Sequence, residues 1–206
     1  DVAEVRRRID EATHVSFDVF DTLLTRRVLE PGDVFDLVAR RLLEVPGAAD
    51  LVEAGGFRAA RVGAERAAGV AGPPTLAGIY DRLGADLSWP ADLVRRCMDL
   101  ELAVEREVLC PRTAVVELFD YAGAAGKPVT LISDMYLPEG FLREVLAAGG
   151  VTGYQGLLVS GTRGAGKADG LFAQYTEGLP PGARPLHIGD NETADGRHGR
   201  AAGLDT

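Results

Sequence analysis

Short apolar runs that each stop at a polar residue recur along this chain, and stretches with helical periodicity follow them. Such brief runs are typical of strands in a parallel sheet whose two faces are both covered. Four segments fit this description: His14–Phe17 before Asp18, Pro128–Ile132 before Ser133, Gly156–Val159 before Ser160, and Pro185–Ile188 before Gly189 and Asp190. Strands that alternate with helices in this way predict an open α/β sheet with right-handed crossovers.

The interval from Arg26 to Pro111 breaks the alternation, because only helical periodicity is visible in it. The pattern predicts helices over 34–42, 49–68, 76–83 and 93–108, with turns at Gly, Pro and Ser residues between them. We therefore predict a core formed by residues 1–25 and 112–206, with residues 26–111 inserted after the first strand as an all-helical cap. The helix-like stretch 194–202 ends where another strand is expected, which favours a chain that is part of a longer polypeptide.

Composition and charge narrow the range of partners. With 46% hydrophobic and 26% charged residues, the chain resembles a soluble globular protein, and no apolar run reaches the length of a membrane helix. A net charge of −9 argues against a nucleic-acid partner, which usually requires a basic face. Cys97 and Cys110 form no metal-binding pattern, and such sparse cysteine fits a reducing cytoplasm. We expect a cytoplasmic protein with neither a nucleic-acid nor a membrane partner.

Polar residues stand at the ends of three predicted strands, where they suggest a site. In an open parallel sheet, ligands collect beyond the carboxyl ends of the strands. Those ends carry Asp18, Ser133 and Asp190, so groups from three separate segments converge on one edge. Gly189 allows the backbone there to approach a ligand or an ion closely. Sequence order alone therefore predicts a site for an anion together with a cation.

Four local strings resemble, in family order, the four motifs of the haloacid dehalogenase-like (HAD-like) superfamily. Phe17–Leu23 (FDVFDTL) resembles the first motif, residues 131–134 (LISD) the second, Lys167 within 166–170 (GKADG) the third, and residues 187–195 (HIGDNETAD) the fourth. The helical block lies where that family carries its cap, and the match extends over nearly the whole chain. The motif sequences FDVFDTLLTR, SDMYLP and HIGDN are similar to those of a subgroup often found beside or fused to glycosyltransferases.

The resemblance implies a Rossmann-like core and a Mg²⁺-dependent hydrolase that acts on a small phosphate ester, with a sugar phosphate as one candidate. Asp18 would be the nucleophile that forms an aspartyl-phosphate. The carboxylates of Asp18 and Asp190 and the backbone carbonyl of Phe20 would hold Mg²⁺, which prefers oxygen ligands. Ser133 and Lys167 would bind the transferring phosphoryl oxygens.

The resemblance also suggests supporting roles around these residues. Thr22 would steady the loop of the substrate site, and Asp195 would either orient Lys167 or complete the outer shell of the metal. Arg163 competes with Lys167 for the phosphoryl group, because both lie in or beside a Gly-rich segment.

Three further polar residues near the motifs are expected to be structural. Asp21 and Asp134 each follow a motif residue, so we expect their side chains to point away from the site edge. His187 lies inside the fourth predicted strand, where we expect a buried imidazole with satisfied hydrogen bonds and no catalytic role.

The sequence departs from the family pattern two residues after Asp18. HAD phosphatases usually have a second Asp there, which protonates the leaving group and later activates water; this chain has Phe20. The protein would then hydrolyse only esters with good leaving groups, take an acid from the cap, react differently or lack catalysis. Two alternatives follow: a degenerate HAD-like ligand-binding module of a larger protein, and a dehalogenase-type hydrolase, whose family members carry an aromatic residue here but lack the carboxylate at Asp190.

Overall fold

The computed structural model describes residues 1–45 and 56–206. The strands are β1 (His14–Phe17), β2 (Leu24–Arg26), β3 (Leu109–Pro111), β4 (Val129–Ser133), β5 (Gly156–Val159) and β6 (Pro185–Ile188). The helices are α1 (Val2–Glu11), α2 (Asp33–Leu42), α3 (Gly56–Ala68), α4 (Leu76–Leu87), α5 (Ala91–Val108), α6 (Thr113–Ala124), α7 (Glu139–Ala148), α8 (Ser160–Arg163), α9 (Leu171–Glu177) and α10 (His198–Ala201). A 3-10 turn spans Gly69–Ala71, and a π-helical turn spans Glu192–Arg197. None of these helices combines the length and the apolar character that crossing a membrane requires.

The central sheet confirms the predicted α/β class. Its four strands lie in the order β5-β4-β1-β6, and every neighbouring pair is parallel. All four predicted strands are present, with β4 displaced by one residue so that it includes Ser133. Because β1 lies between β4 and β6, the residues that follow these three strands meet at one edge of the sheet.

Both faces of the sheet are covered by helices, as the apolar strands predict. On one face Phe17 of β1 packs edge-on against Phe119 of α6, with ring centroids 5.9 Å apart. On the other face Ile132 and Leu158 pack with Leu171 and Phe172 of α9. The alternation of β4 and β5 side chains between these two apolar clusters is what fixes the register of the sheet.

The insert differs from the all-helical prediction at its two ends. β2 and β3 pair antiparallel, with Leu24 opposite Pro111 and Arg26 opposite Leu109, so a short ribbon joins the helical segment to the core. Periodicity missed it because three-residue strands are too short to show a pattern. The division at 25/26 and 111/112 stays a prediction. Of the helix predicted over 49–68, the structure describes Gly56–Ala68, and its earlier part lies outside the described residues.

A buried ion pair holds the helices of the insert together. Arg61 of α3 donates two hydrogen bonds to Glu101 of α5, of 2.8 and 2.7 Å, and neither side chain is exposed. The Tyr80 hydroxyl donates to the same carboxylate at 2.7 Å. The Arg61 guanidinium also lies 4.8 Å from the ring centroid of Tyr136, which follows β4, so the pair reaches the core. Removing Glu101 leaves the buried Arg61 guanidinium with only the partly exposed Glu65, 2.8 Å away, as its counter-ion.

We expect Glu101→Leu to lower the free energy of unfolding by about 3–5 kcal/mol, because Arg61 then loses its buried counter-ion. Arg82→Ala is the matched control: it breaks an exposed α4 ion pair with Asp86, which is worth about 0–1 kcal/mol. Urea denaturation of both variants measures the difference. A loss in Glu101→Leu no larger than that of the control would contradict a structural role for the buried pair.

Candidate active site

Asp18 follows β1 at the centre of the sheet and is almost fully buried. Its backbone N–H donates to the Ile188 carbonyl at 2.9 Å, which ties the residue to the end of β6. Its Oδ1 accepts a hydrogen bond from Lys167 Nζ at 2.6 Å. Burial raises the pKa of Asp18 to about 6, although the Lys167 ammonium opposes that shift. Asp18 is therefore an ionised and poorly hydrated carboxylate at neutral pH.

Lys167 lies between two carboxylates. Its Nζ donates to Asp18 and, at 2.5 Å, to Oδ1 of Asp195. Burial lowers the pKa of Lys167, but the two neighbouring carboxylates outweigh burial, so that its net shift is upward and the ammonium persists. Arg163, the competing residue, is exposed. The contact with Asp18 thus belongs to Lys167.

Asp195 is held from several sides. Its Oδ1 also contacts His187 Nε2 at 3.0 Å, and its Oδ2 accepts the backbone N–H of Asn191 at 3.0 Å. A Cβ on Gly189 would overlap the Asp195 carboxyl group, so only glycine fits there. Burial raises the pKa of Asp195, but hydrogen bonds from His187 and the Lys167 charge bring it well below its usual range. Asp195 is therefore ionised at neutral pH.

The carboxylates of Asp18, Asp190 and Asp195 form a cluster suited to a cation. One oxygen from each lies within 4.8 Å of the others, and Asp190 is exposed while the other two are buried. The Thr22 hydroxyl donates to Asp190 at 3.4 Å. When ionised, the three carboxylates carry two more charges than Lys167 compensates, and an all-oxygen donor set of this kind suits Mg²⁺. These residues fit the metal that the sequence predicted.

The buried hydroxyl of Ser133 lies at the end of β4 and has no hydrogen-bond partner among the residues that the structure describes. A buried polar group without a partner is costly, so an unpaired hydroxyl near a site indicates a place for a ligand atom. Asp134 has a structural role, as expected, but its side chain turns toward the site loop, where its Oδ1 accepts the backbone N–H of Lys167 at 2.9 Å. Asp21 is exposed and accepts from Thr25, as expected of a structural residue.

Phe20 occupies the position where HAD phosphatases usually have an acid, and its ring packs against a charged side chain. The Arg26 guanidinium lies 4.5 Å from the ring centroid of Phe20. Arg26 in turn makes a two-point ion pair with the buried Glu105 of α5, with N–O distances of 2.8 Å from Nε to Oε2 and from Nη2 to Oε1. The ring is thus packed under a cation that is already neutralised. Nothing in this contact supplies a proton to a leaving group.

Two residues of this site were not identified from the sequence as contributors. His187 contacts Asp195, and Ser16 Oγ lies 2.9 Å from His187 Nδ1. A signal was available, since both are polar residues inside apolar strands, where a buried polar group needs a partner. What the sequence did not contain was the register that places Ser16 directly opposite His187.

A cavity of about 330 Å³ lies between the insert and the core. Its walls include Glu65 and the Pro73–Pro74 turn on one side, and Asp134, Tyr136 and Asp169 on the other. Three of these residues are acidic, and no Lys or Arg is among the described residues that line it. The acidic lining therefore makes this cavity unfavourable for an anionic group of a ligand.

Comparisons with known proteins identify the fold. No family model matches the sequence, and no curated protein matches it. Among solved structures, YfnB of Bacillus subtilis, a proposed HAD-hydrolase bound to magnesium, is 21% identical with a TM-score of 0.61, over 95% of this chain and 87% of that one. A 2-haloacid dehalogenase of Pseudomonas syringae pv. Tomato DC3000 is 19% identical (TM-score 0.64; 94% and 84% coverage). A HAD phosphatase of Thermococcus onnurineus is 14% identical (TM-score 0.56; 93% and 83%). The chain has the HAD fold.

Asp190→Asn should weaken Mg²⁺ binding at least tenfold, roughly the loss seen when even an outer-shell partner of a metal is removed. Titration calorimetry with magnesium chloride measures the affinity. Asp21→Asn is the control, because Asp21 is a neighbouring exposed acid with φ of 55°, a conformation that Asn also tolerates. Equal affinity in wild type and Asp190→Asn would place the metal elsewhere.

Proposed function

We propose that this protein is a Mg²⁺-dependent hydrolase of the HAD type that cleaves a phosphate ester through an aspartyl-phosphate on Asp18. The observation that carries the proposal is the buried contact of Asp18 with Lys167, beside the unpaired hydroxyl of Ser133 and the carboxylate of Asp190. A nucleophile, a cationic donor, a neutral donor and an acidic metal cluster stand together at the edge of the sheet, and phosphoryl transfer requires these groups.

In the proposed reaction, an Asp18 carboxylate oxygen attacks phosphorus, the bond from phosphorus to the leaving oxygen breaks, and the leaving oxygen takes a proton from solvent. Water then attacks the aspartyl-phosphate and gives up a proton to solvent, which releases inorganic phosphate and returns the Asp18 carboxylate. Lys167 and Ser133 donate hydrogen bonds to the phosphoryl oxygens as negative charge moves onto them. Asp195 holds the Lys167 ammonium in place during both steps.

Mg²⁺ would be held by Asp18, Asp190 and the backbone carbonyl of Phe20, with Asp195 in its outer shell. When bound, it supplies charge stabilisation for the phosphoryl group and allows the anionic nucleophile and the anionic substrate to approach each other. Thr22 would keep the Asp190 side chain in position by its hydrogen bond.

The cavity between insert and core supports a leaving group that carries hydroxyls and no second anion. Glu65, Asp134 and Asp169 offer hydrogen-bond acceptors on its walls, and a carboxylate or a second phosphate would be repelled by them. A sugar or polyol monophosphate fits this chemistry, in keeping with the sugar phosphate suggested by the sequence resemblance.

A dehalogenase-type reaction is the second candidate, because an aromatic residue, Phe20, stands two positions after Asp18 and several structural neighbours are dehalogenases. The acidic cluster opposes it. A reaction that needs no metal gains nothing from placing Asp190 beside Asp18 and Asp195, where like charges repel. Phosphoryl transfer therefore accounts for more of the site. Release of halide from 2-chloropropionate without added Mg²⁺, and no release of phosphate from any ester, would favour the second candidate.

Asp18→Asn should abolish turnover while leaving the fold intact, because an amide does not attack phosphorus. Release of phosphate from a panel of monoesters, with and without Mg²⁺, measures activity, and thermal unfolding checks the fold. Beryllium fluoride should form a complex on Asp18 in wild type, visible by ¹⁹F NMR, and none in the variant. Unchanged turnover in Asp18→Asn would mean that the nucleophile is another residue.

The absence of an acid at Phe20 predicts a strong dependence on the leaving group. Wild type should favour p-nitrophenyl phosphate over a hexose 6-phosphate, whose alkoxide requires a proton. Phe20→Asp should raise hexose 6-phosphate turnover by something like tenfold, at or below the low end of general acid catalysis because its surroundings are not tuned to an acid.

Phe20→Leu is the matched control, because it removes the same contact with Arg26 without adding an acid. Steady-state kinetics on both substrates separates the two effects. A wild type already fast on the hexose phosphate, with no gain in a folded Phe20→Asp, would show that the proton comes from another group, with Asp21 the first to examine.

A further inference from the structure

We infer that His187 and Ser16 form a buried positioning pair, which sets the orientation of Asp195 and through it the placement of Lys167 against Asp18. The pair lies beneath the site and touches none of the reacting atoms. The consequence for turnover rests on the proposed function, whereas the arrangement of hydrogen atoms in the pair does not.

A continuous series of short polar contacts connects the pair to the nucleophile. Ser16 Oγ lies 2.9 Å from His187 Nδ1, and His187 Nε2 lies 3.0 Å from Asp195 Oδ1. The same Asp195 oxygen lies 2.5 Å from Lys167 Nζ, which reaches Asp18 Oδ1 at 2.6 Å. Each of the five side chains is more than nine-tenths buried. Water therefore cannot readily replace any of these contacts.

Asp195 determines where the hydrogen atoms of His187 and Ser16 lie. Asp195 is an ionised carboxylate that only accepts hydrogen bonds, so His187 Nε2 must carry the hydrogen that points to it. A neutral imidazole then has a free lone pair on Nδ1, and the Ser16 hydroxyl must donate to it. Two other groups near Ser16 are weaker partners: the Leu186 carbonyl is at 3.4 Å, and the buried Tyr175 hydroxyl makes no regular hydrogen bond among the described residues. Burial lowers the pKa of His187, which agrees with a neutral ring.

The fold holds the imidazole in one orientation from both sides. Ser16 and His187 are directly opposite in the register of β1 and β6, so their side chains share one face of the sheet. On that face the ring of Phe172 from α9 meets the imidazole edge-on, with centroids 4.8 Å apart. The imidazole is thus restrained by packing, Asp195 decides which of its nitrogens carries hydrogen, and Ser16 supplies the hydrogen bond at Nδ1.

The effect on the site follows from geometry. Lys167 bridges two carboxylates, so a rotation of Asp195 would leave the Lys167 ammonium paired with Asp18 alone. The ammonium would then neutralise the proposed nucleophile and would not be directed at a phosphoryl oxygen. His187 and the Asn191 backbone N–H hold the two oxygens of Asp195 separately and so prevent that rotation. Groups that orient metal ligands commonly change activity about 10- to 100-fold when they are removed, and we expect a loss of that order here.

The first test reads the tautomer directly and needs no activity. Long-range ¹H–¹⁵N NMR of wild type should show one of the three histidines as a neutral ring with hydrogen on Nε2 between pH 6 and 8. His187→Gln identifies that signal by its loss, and Ser16→Ala should remove the donor to Nδ1 and shift its ¹⁵N resonance. A His187 that is doubly protonated, or that carries hydrogen on Nδ1, would overturn the proposal even if the protein proves to be an active phosphatase.

The second test separates positioning from packing. His187→Leu fills the space without a donor, and we expect kcat for p-nitrophenyl phosphate to fall about 10- to 100-fold. His187→Gln retains an N–H group of similar reach and should recover most of that loss. Phe172→Leu perturbs packing on the same ring and should leave the tautomer unchanged. Equal losses in the Leu and Gln variants at equal thermal stability, or a wild-type kcat in His187→Leu, would overturn the positioning role.

Discussion

The buried ammonium of Lys167 is the interaction on which the rest of this site depends. It lies between Asp18 and Asp195, two carboxylates from opposite ends of the chain, which would repel each other strongly in so poorly hydrated a place. A buried charge is tolerated only when it is paired and hydrogen-bonded. The backbone of Lys167 is tied to Asp134, and Asp195 is tied to His187 and Asn191, so the surrounding loops also serve to hold this ion triplet.

Sheet topology brings these groups together at little conformational cost. β1 is central, with β4 on one side and β6 on the other, so Asp18, Ser133 and the loop after β6 share one edge. The glycine after β6 lets the chain turn back closely enough for Asp195 to reach Lys167. Beneath that edge, the pairing of β1 with β6 also aligns Ser16 with His187. The parallel register thus organises both the site and the polar pair that supports it.

Features set by neighbouring residues were predicted correctly from the sequence, whereas features set by contacts between distant segments were not. Short, mostly apolar runs located all four sheet strands, and the order of polar residues at their ends located Asp18, Ser133 and Asp190. These features are local. The contact of His187 with Ser16 depends on how two distant strands align, and the β2–β3 ribbon depends on pairing across the whole insert. No periodicity within one segment contains that information.

Phe20, two residues after Asp18, contributes packing contacts at a position where HAD phosphatases usually have an acid. The Phe20 ring lies under Arg26, and Arg26 is bound at two points by Glu105 from the long helix of the insert. An acid in place of Phe20 would meet that same guanidinium, which favours the ionised form and so opposes the protonated state that a general acid requires. The aromatic ring and the Arg26–Glu105 pair are therefore mutually consistent: they join insert and core at the loop that follows Asp18. A proton donor at this position would require the Arg26–Glu105 pair to change as well. For that reason, the gain in turnover from Phe20→Asp alone is limited.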